Sequence, residues 1–190
     1  MPKIRAFIAI EIPDEIRKKI GDLQSILKGM GGRISWTKPG NIHLTLKFLG
    51  DTDESLIDDI AEELKQAVKP INQFQINVKE LGTFPNFRQP RVIWVGAKSE
   101  KDQLIELAKN IETRMEILGF KREKRKYSGH LTLGRVKDVK SIPPVIDRLQ
   151  QNEDFYAGSF TVKEIFLIKS ELHSAGAIYT PLKKVVLSKS

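Results

Sequence analysis

Cysteine is absent from all 190 residues. That excludes a disulfide-stapled scaffold, suits a reducing compartment and removes the commonest ligand of structural zinc. Long hydrophobic runs are missing as well, and none approaches the roughly 20 residues of a membrane span. The N-terminal apolar stretch Ala6–Ile10 stops at Glu11 and Pro13, too short for a secretory h-region. A cytoplasmic location and no membrane partner are therefore expected. Phosphate-binding loops are lacking too. There is no Gly-x-x-x-x-Gly-Lys-Ser/Thr and no Gly-x-Gly-x-x-Gly, and the one glycine cluster, Gly29-Met30-Gly31-Gly32, reads as a helix stop. No cofactor is called for.

Histidine is scarce, with three in the chain, yet two of them occupy the same tetrapeptide, His43-Leu-Thr-Leu46 and His130-Leu-Thr-Leu133. In a strand, side chains alternate between faces. Each copy therefore offers an imidazole and a hydroxyl on one face, and two leucines to a core on the other. Two such strands across a cleft would oppose two imidazoles, one able to take a proton while the other gives one. Metal binding is disfavoured, because neither motif carries a second ligand and zinc usually needs three or four. The third histidine, His173, has no such context and reads as an ordinary residue.

Net charge is +8. Such an excess suggests a polyanionic partner, with nucleic acid foremost, against the plainer reading of a solvated lysine-rich surface. The run Lys121-Arg122-Glu123-Lys124-Arg125-Lys126 leads straight into Tyr127-Ser128-Gly129-His130. That proximity favours a patch that steers phosphate toward His130.

Shifting the chain by the 87 residues that separate the motifs aligns other features. Strand-like Arg5–Ile10 falls on Val92–Ala97, and amphipathic Glu15–Leu27 falls on Asp102–Ile117. Gly32 falls on Gly119, where glycine would end a helix. Helices are predicted after each motif, over Glu54–Val68 with Asp53 as cap, and after Pro143-Pro144. Related wording then recurs at Val78–Leu81 and Val162–Ile165. The pattern predicts an α+β chain with an internal duplication, in approximate halves 1–88 and 89–190, packed as one bilobal unit whose strands can cross between lobes. Thr83–Gln89 is the expected crossing loop, and the last strand, Ile178–Leu187, fits either lobe.

Paired His-x-Thr-x motifs about ninety residues apart in a duplicated α+β chain resemble the two-histidine (2H) phosphoesterase superfamily. The wider wording His43-Leu-Thr-Leu-Lys-Phe-Leu-Gly50 and His130-Leu-Thr-Leu-Gly-Arg135 is similar to its RNA 2′,3′-cyclic phosphodiesterase branch, historically called 2′-5′ RNA ligase. So are Arg5–Ala9 and Pro90–Trp94, and the resemblance covers essentially the whole chain. It implies two pseudo-symmetric antiparallel-sheet lobes with flanking helices around a central cleft. It also implies metal-independent opening of a terminal cyclic phosphate to a 2′-phosphate. The partner implied is RNA with a 2′,3′-cyclic phosphate end, tRNA-derived ends among the candidates, met by a monomer.

Residue chemistry agrees with that reaction. Water attacking a cyclic phosphodiester needs a base, and the departing ribose oxygen needs an acid, in line across phosphorus. We expect His43 as acid and His130 as base, because cations at Lys121–Lys126 and Arg135 would favour neutral His130, whereas only Lys47 flanks His43. Thr45 and Thr132 are the candidate donors to the non-bridging oxygens. Arg135 is a further phosphate contact, although regular alternation points it into the core unless Gly134 supplies a bulge. Phe48 shares the parity of the leucines, so core packing is its favoured reading and base contact the minor one. Trp36 and Trp94 could line the cleft or the core. Three alternatives stay open: RNA ligation by the reverse reaction, a 2H enzyme acting on a small nucleotide, and a non-catalytic RNA-binding module.

Overall fold

The computed structural model describes residues 2–189. In chain order it contains β1 (Lys3–Glu11), α1 (Asp14–Gly29), β2 (Ile34–Trp36), β3 (His43–Asp53), α2 (Ile57–Val68) and β4 (Phe74–Phe84). There follow β5 (Val92–Ser99), α3 (Gln103–Ile117), β6 (His130–Val136), α4 (Pro143–Gln150), β7 (Tyr156–Val162), β8 (Glu164–His173) and β9 (Gly176–Val186). The strands form one antiparallel sheet in the order β7-β4-β5-β6-β3-β1-β8-β9, with β2 added beside β6.

The predicted helices are present, with caps that explain their limits. Asp53 accepts from the Ser55 amide and opens a single 3₁₀ turn before α2. At the end of α3, Gly119 (φ 83°) donates to the Glu116 carbonyl and Phe120 to that of Met115, the Schellman arrangement. At α1 the matching position is Gly31 (φ 80°), whose amide donates to Lys28, and not Gly32. The shared wording at Val162–Ile165 is no strand equivalent to Val78–Leu81. It spans the link from β7 to β8, whereas Val78–Leu81 lies inside β4.

The β6–β3 contact divides the sheet into two halves. One contains β3, β1, β8 and β9, and the other contains β6, β5, β4 and β7. Neither is drawn from one stretch of chain. β4 pairs with β5 and β7, and the C-terminal hairpin β8–β9 returns to pair with β1.

A single hydrophobic core fills the helix side of both halves, with Leu44, Leu46, Leu131 and Leu133 in it. A second, smaller cluster of Phe7, Ala9 and Ile168, flanked by Phe166 and Tyr179, lies on the other face of the first half-sheet. β1 is therefore covered on both sides, which is why Ala6–Ile10 is an unbroken apolar run and does not alternate. No helix among the described residues is long and apolar enough to cross a membrane.

Candidate active site

The two half-sheets meet at one residue pair, Leu44 opposite Leu131. One step outward in the antiparallel sense brings His43 beside Thr132, and His130 beside Thr45. The leucines point to the core, so both imidazoles and both hydroxyls share the helix-free face at the seam. Each ring is held in the same way. His43 Nδ1 donates to the Asn41 carbonyl at 2.7 Å, and His130 Nδ1 donates to the Ser128 carbonyl at 2.8 Å. A carbonyl can only accept, so Nδ1 carries the proton and Nε2 is left to exchange one.

Bulges give the site its remaining groups. Opposite β1, Thr45 pairs with Ala9 and Lys47 with Ile8, so Leu46 is an extra residue. Opposite β5, Thr132 pairs with Trp94 and Gly134 with Ile93, so Leu133 is extra. A bulge turns two successive residues inward and reverses the alternation beyond them. Arg135 is therefore exposed on the histidine face. The same event overturns the core reading of Phe48, which is 65% exposed with its ring 6.0 Å from that of Phe7. Phe48 and Arg135 thus stand five residues after their histidines, at corresponding places in the two halves.

Lys47 goes the opposite way. It is buried, and its Nζ donates to Glu112 at 2.7 Å and to the Lys121 carbonyl at 3.0 Å. The Glu123 amide also reaches Glu112, and Tyr127 donates to the Thr45 carbonyl at 3.0 Å. These contacts tie the basic run 121–126 to the helix side of β3. Its side chains are solvent-exposed, and Arg122 is paired with Glu116.

The charge asymmetry expected from the sequence is consequently not found. Burial holds both imidazoles below the usual histidine range, opposed by the carbonyl hydrogen bonds and reinforced by one arginine each, Arg17 for His43 and Arg135 for His130. Arg17 is itself fixed by donating to the carbonyls of Ile12, Pro39, Gly40 and Ile42. Among the described residues, no three His, Asp or Glu side chains cluster as a metal-ligand set.

The model of the 2′-5′ RNA ligase superfamily matches residues 12–173, which include both motifs. The chain belongs to this superfamily. It is 39% identical over 181 residues to the RNA 2′,3′-cyclic phosphodiesterase of Methanocaldococcus jannaschii, covering 95% of this chain and 99% of that one. The enzyme of the same name from Methanothermobacter thermautotrophicus is 32% identical over 181 residues, covering 95% and 97%. Escherichia coli LigT, solved in complex with 3′-AMP, superposes with a TM-score of 0.79 at 26% identity, covering 99% and 100%.

Several groups in this superfamily member escaped the sequence reading. Phe7 stacks on His43 at 4.7 Å, and Tyr179 meets it edge-on at 5.2 Å. Phe84 meets His130 edge-on at 4.9 Å and packs against Trp94 at 5.1 Å. Trp94 lies over Gly82, where a Cβ would fall 2.2 Å from the indole, and as the partner of Thr132 on β6 it shares the histidine face. Trp36 instead packs with the main core. Gln24 is fully buried, and its amide donates to the carbonyls of Thr37 and Leu133, pinning the bulge that aims Arg135. Of the missed groups, Phe7 had a usable signal, because the motif repeat aligns it with Trp94, already a candidate.

Proposed function

We propose that this protein hydrolyses RNA 2′,3′-cyclic phosphate ends to 2′-phosphates by two-histidine acid–base catalysis. The observation that carries the reading is the matched pair of Nδ1-anchored imidazoles facing one seam. The names of relatives that align over nearly the whole chain support it.

His130 takes a proton from water at Nε2 as the water oxygen bonds to phosphorus. The P–O3′ bond breaks in line, and His43 Nε2 gives its proton to the departing 3′-oxygen. The Thr45 and Thr132 hydroxyls have no protein hydrogen-bond partner among the described residues, so they are free to donate to the non-bridging oxygens. Arg135 adds a charged fork to the phosphate, and exposed Phe48 offers its face to the terminal base. Burial favours neutral imidazole, as a base requires, and the bound phosphate anion restores the proton on the acid. RNA ligation is the same step with a 5′-hydroxyl in place of water: O5′ bonds to phosphorus, the P–O3′ bond breaks, and the ends are joined by a 2′-5′ phosphodiester. The substrate class is RNA, with tRNA-derived ends among those to try, and the working form is a cytoplasmic monomer.

The test is to incubate the protein with an RNA oligonucleotide ending in 2′,3′-cyclic phosphate, with EDTA present, and to map the product phosphate. A 2′-phosphate, with losses of about 10²–10⁴ in His43→Ala and His130→Ala, is the expected result. A 3′-phosphate product, or activity abolished by chelation, would overturn it.

A further inference from the structure

Beyond the aromatic row of Phe48 and Phe7, one register row crosses the first half-sheet. Asp51 of β3 pairs with Arg5 of β1, Arg5 with Ser170 of β8, and Ser170 with Tyr179 of β9. Directly paired antiparallel residues share a face. Arg5 lies two residues before Phe7, so this row looks into the cleft. The Tyr179 ring leans back over Phe7, centroids 5.0 Å apart, to reach His43. The hairpin that carries it is fastened to the site, because Asn41 Nδ2 donates to the Ala177 carbonyl at 2.8 Å while the Asn41 carbonyl holds His43.

Among the described residues, neither Arg5 nor Arg135 has a carboxylate within ion-pair distance, Asp51 included, and the Tyr179 hydroxyl has no hydrogen-bond partner. Burial raises the Tyr179 hydroxyl above the ordinary tyrosine range, with Arg135 and Arg5 near enough to oppose the shift, so the phenol stays a proton donor. Leu172 pairs with Ala177 two positions further out on the same face and is 69% exposed.

Resting on the hydrolase reading above, we propose that Arg5 and Tyr179 form a second anion subsite. It holds the phosphodiester on the 5′ side of the terminal nucleotide, and Leu172 receives the preceding base. Phosphate contacts of this kind fix the register of a nucleic acid without reading its sequence. An arginine and a phenol suit a phosphodiester oxygen, since both donate and neither repels it. The competing track, the basic run 121–126, is anchored on the helix side of β3, away from this wall. The subsite makes the protein prefer an RNA chain to a cyclic mononucleotide.

Three substrates separate the parts: a nucleoside 2′,3′-cyclic phosphate, the same compound with a 5′-phosphate, and a dinucleotide with the cyclic end. Arg5→Gln should lower kcat/KM about 10–100-fold on the second and third, the worth of one charge-assisted hydrogen bond, and leave the first within about twofold. Tyr179→Phe keeps the ring against His43 and should lower kcat/KM more on the second and third substrates than on the first, by less than Arg5→Gln does. Leu172→Ala should affect the dinucleotide alone. Equal losses on all three substrates, or none on any, would overturn the subsite. Calorimetric binding of the dinucleotide 2′-phosphate provides a reading independent of turnover. About tenfold or more weaker binding by Arg5→Gln supports the subsite, and unchanged binding overturns it. Failure of the wild-type protein to hydrolyse any of the three would instead refute the hydrolase reading, with the binding arm still deciding the subsite.

Discussion

Replacing Phe48 by alanine separates a core residue from a substrate platform, because the two roles predict opposite outcomes. A buried phenylalanine truncated to alanine costs about 3–5 kcal/mol of stability. Phe48 is 65% exposed, with its ring 6.0 Å from that of Phe7, so about a third of its surface is covered. The expected cost is therefore about 1 kcal/mol or less, seen as a small drop in urea midpoint with unchanged m-value. Stacking of a base on an aromatic ring is worth about 1–3 kcal/mol, which corresponds to about 5–150-fold in kcat/KM on an RNA end. Phe48→Trp should preserve most of that activity. A ribose 2′,3′-cyclic phosphate without a base should be indifferent to the change. Loss of more than about 3 kcal/mol of stability would return Phe48 to the core. A stable variant with unchanged kcat/KM on RNA would show that the ring touches no base.

Four further outcomes follow from the geometry. On a phosphodiester with a nitrophenolate leaving group, which departs unprotonated, His43→Ala should recover most of its activity and His130→Ala should not, while the reverse pattern would exchange the two roles. Both imidazoles are held below the ordinary 6.5, so kcat/KM should trace a bell centred on the acid side of that value, with kcat displaced to higher pH by the bound anion. A monotonic rise into alkali would leave no place for a general acid. The same depressed values mean that the unfolded chain binds more protons than the folded one below pH 6.5, so stability should fall as pH drops from there, measurable by urea unfolding. Finally, Lys47→Met strands the Glu112 carboxylate and should cost about 3–5 kcal/mol, largely restored by adding Glu112→Gln, whereas a loss under about 1 kcal/mol would class the pair with surface salt bridges.

What the sequence disclosed was set by how local each signal is. The repeated tetrapeptide carries its own alternation, so the faces of His43, Thr45 and the leucines were legible at once. Helix periods and the glycine ending α3 were equally local. A bulge adds one residue without changing composition, and in the first motif it inverts Lys47 and Phe48 together. Regular alternation makes each residue look correctly placed as the reverse, lysine out and phenylalanine in. Only Glu112, distant in sequence, reveals that Lys47 can be buried. The second motif held the missing clue, because an arginine occupied the nominal core slot at Arg135 and pointed to a bulge there. Carried across to the first motif, that clue would have turned Phe48 outward. Tyr179 was out of reach, since its approach to His43 depends on a C-terminal hairpin folding back onto β1.

The passage of β4 into one half-sheet, and of β8–β9 back into the other, governs how the molecule can come apart. A chain cut in the loop between β4 and β5 would leave its N-terminal piece with β3 and β1 but no outer neighbours for β1, and with β4 stranded away from both its partners. Neither fragment holds all the strands of either half-sheet. Assembly must instead wait for distant segments to meet, which slows folding. Each imidazole is anchored locally, by a carbonyl two residues before it, but the two are brought together only by the long-range Leu44–Leu131 pair, so the catalytic pair exists only once both half-sheets have met.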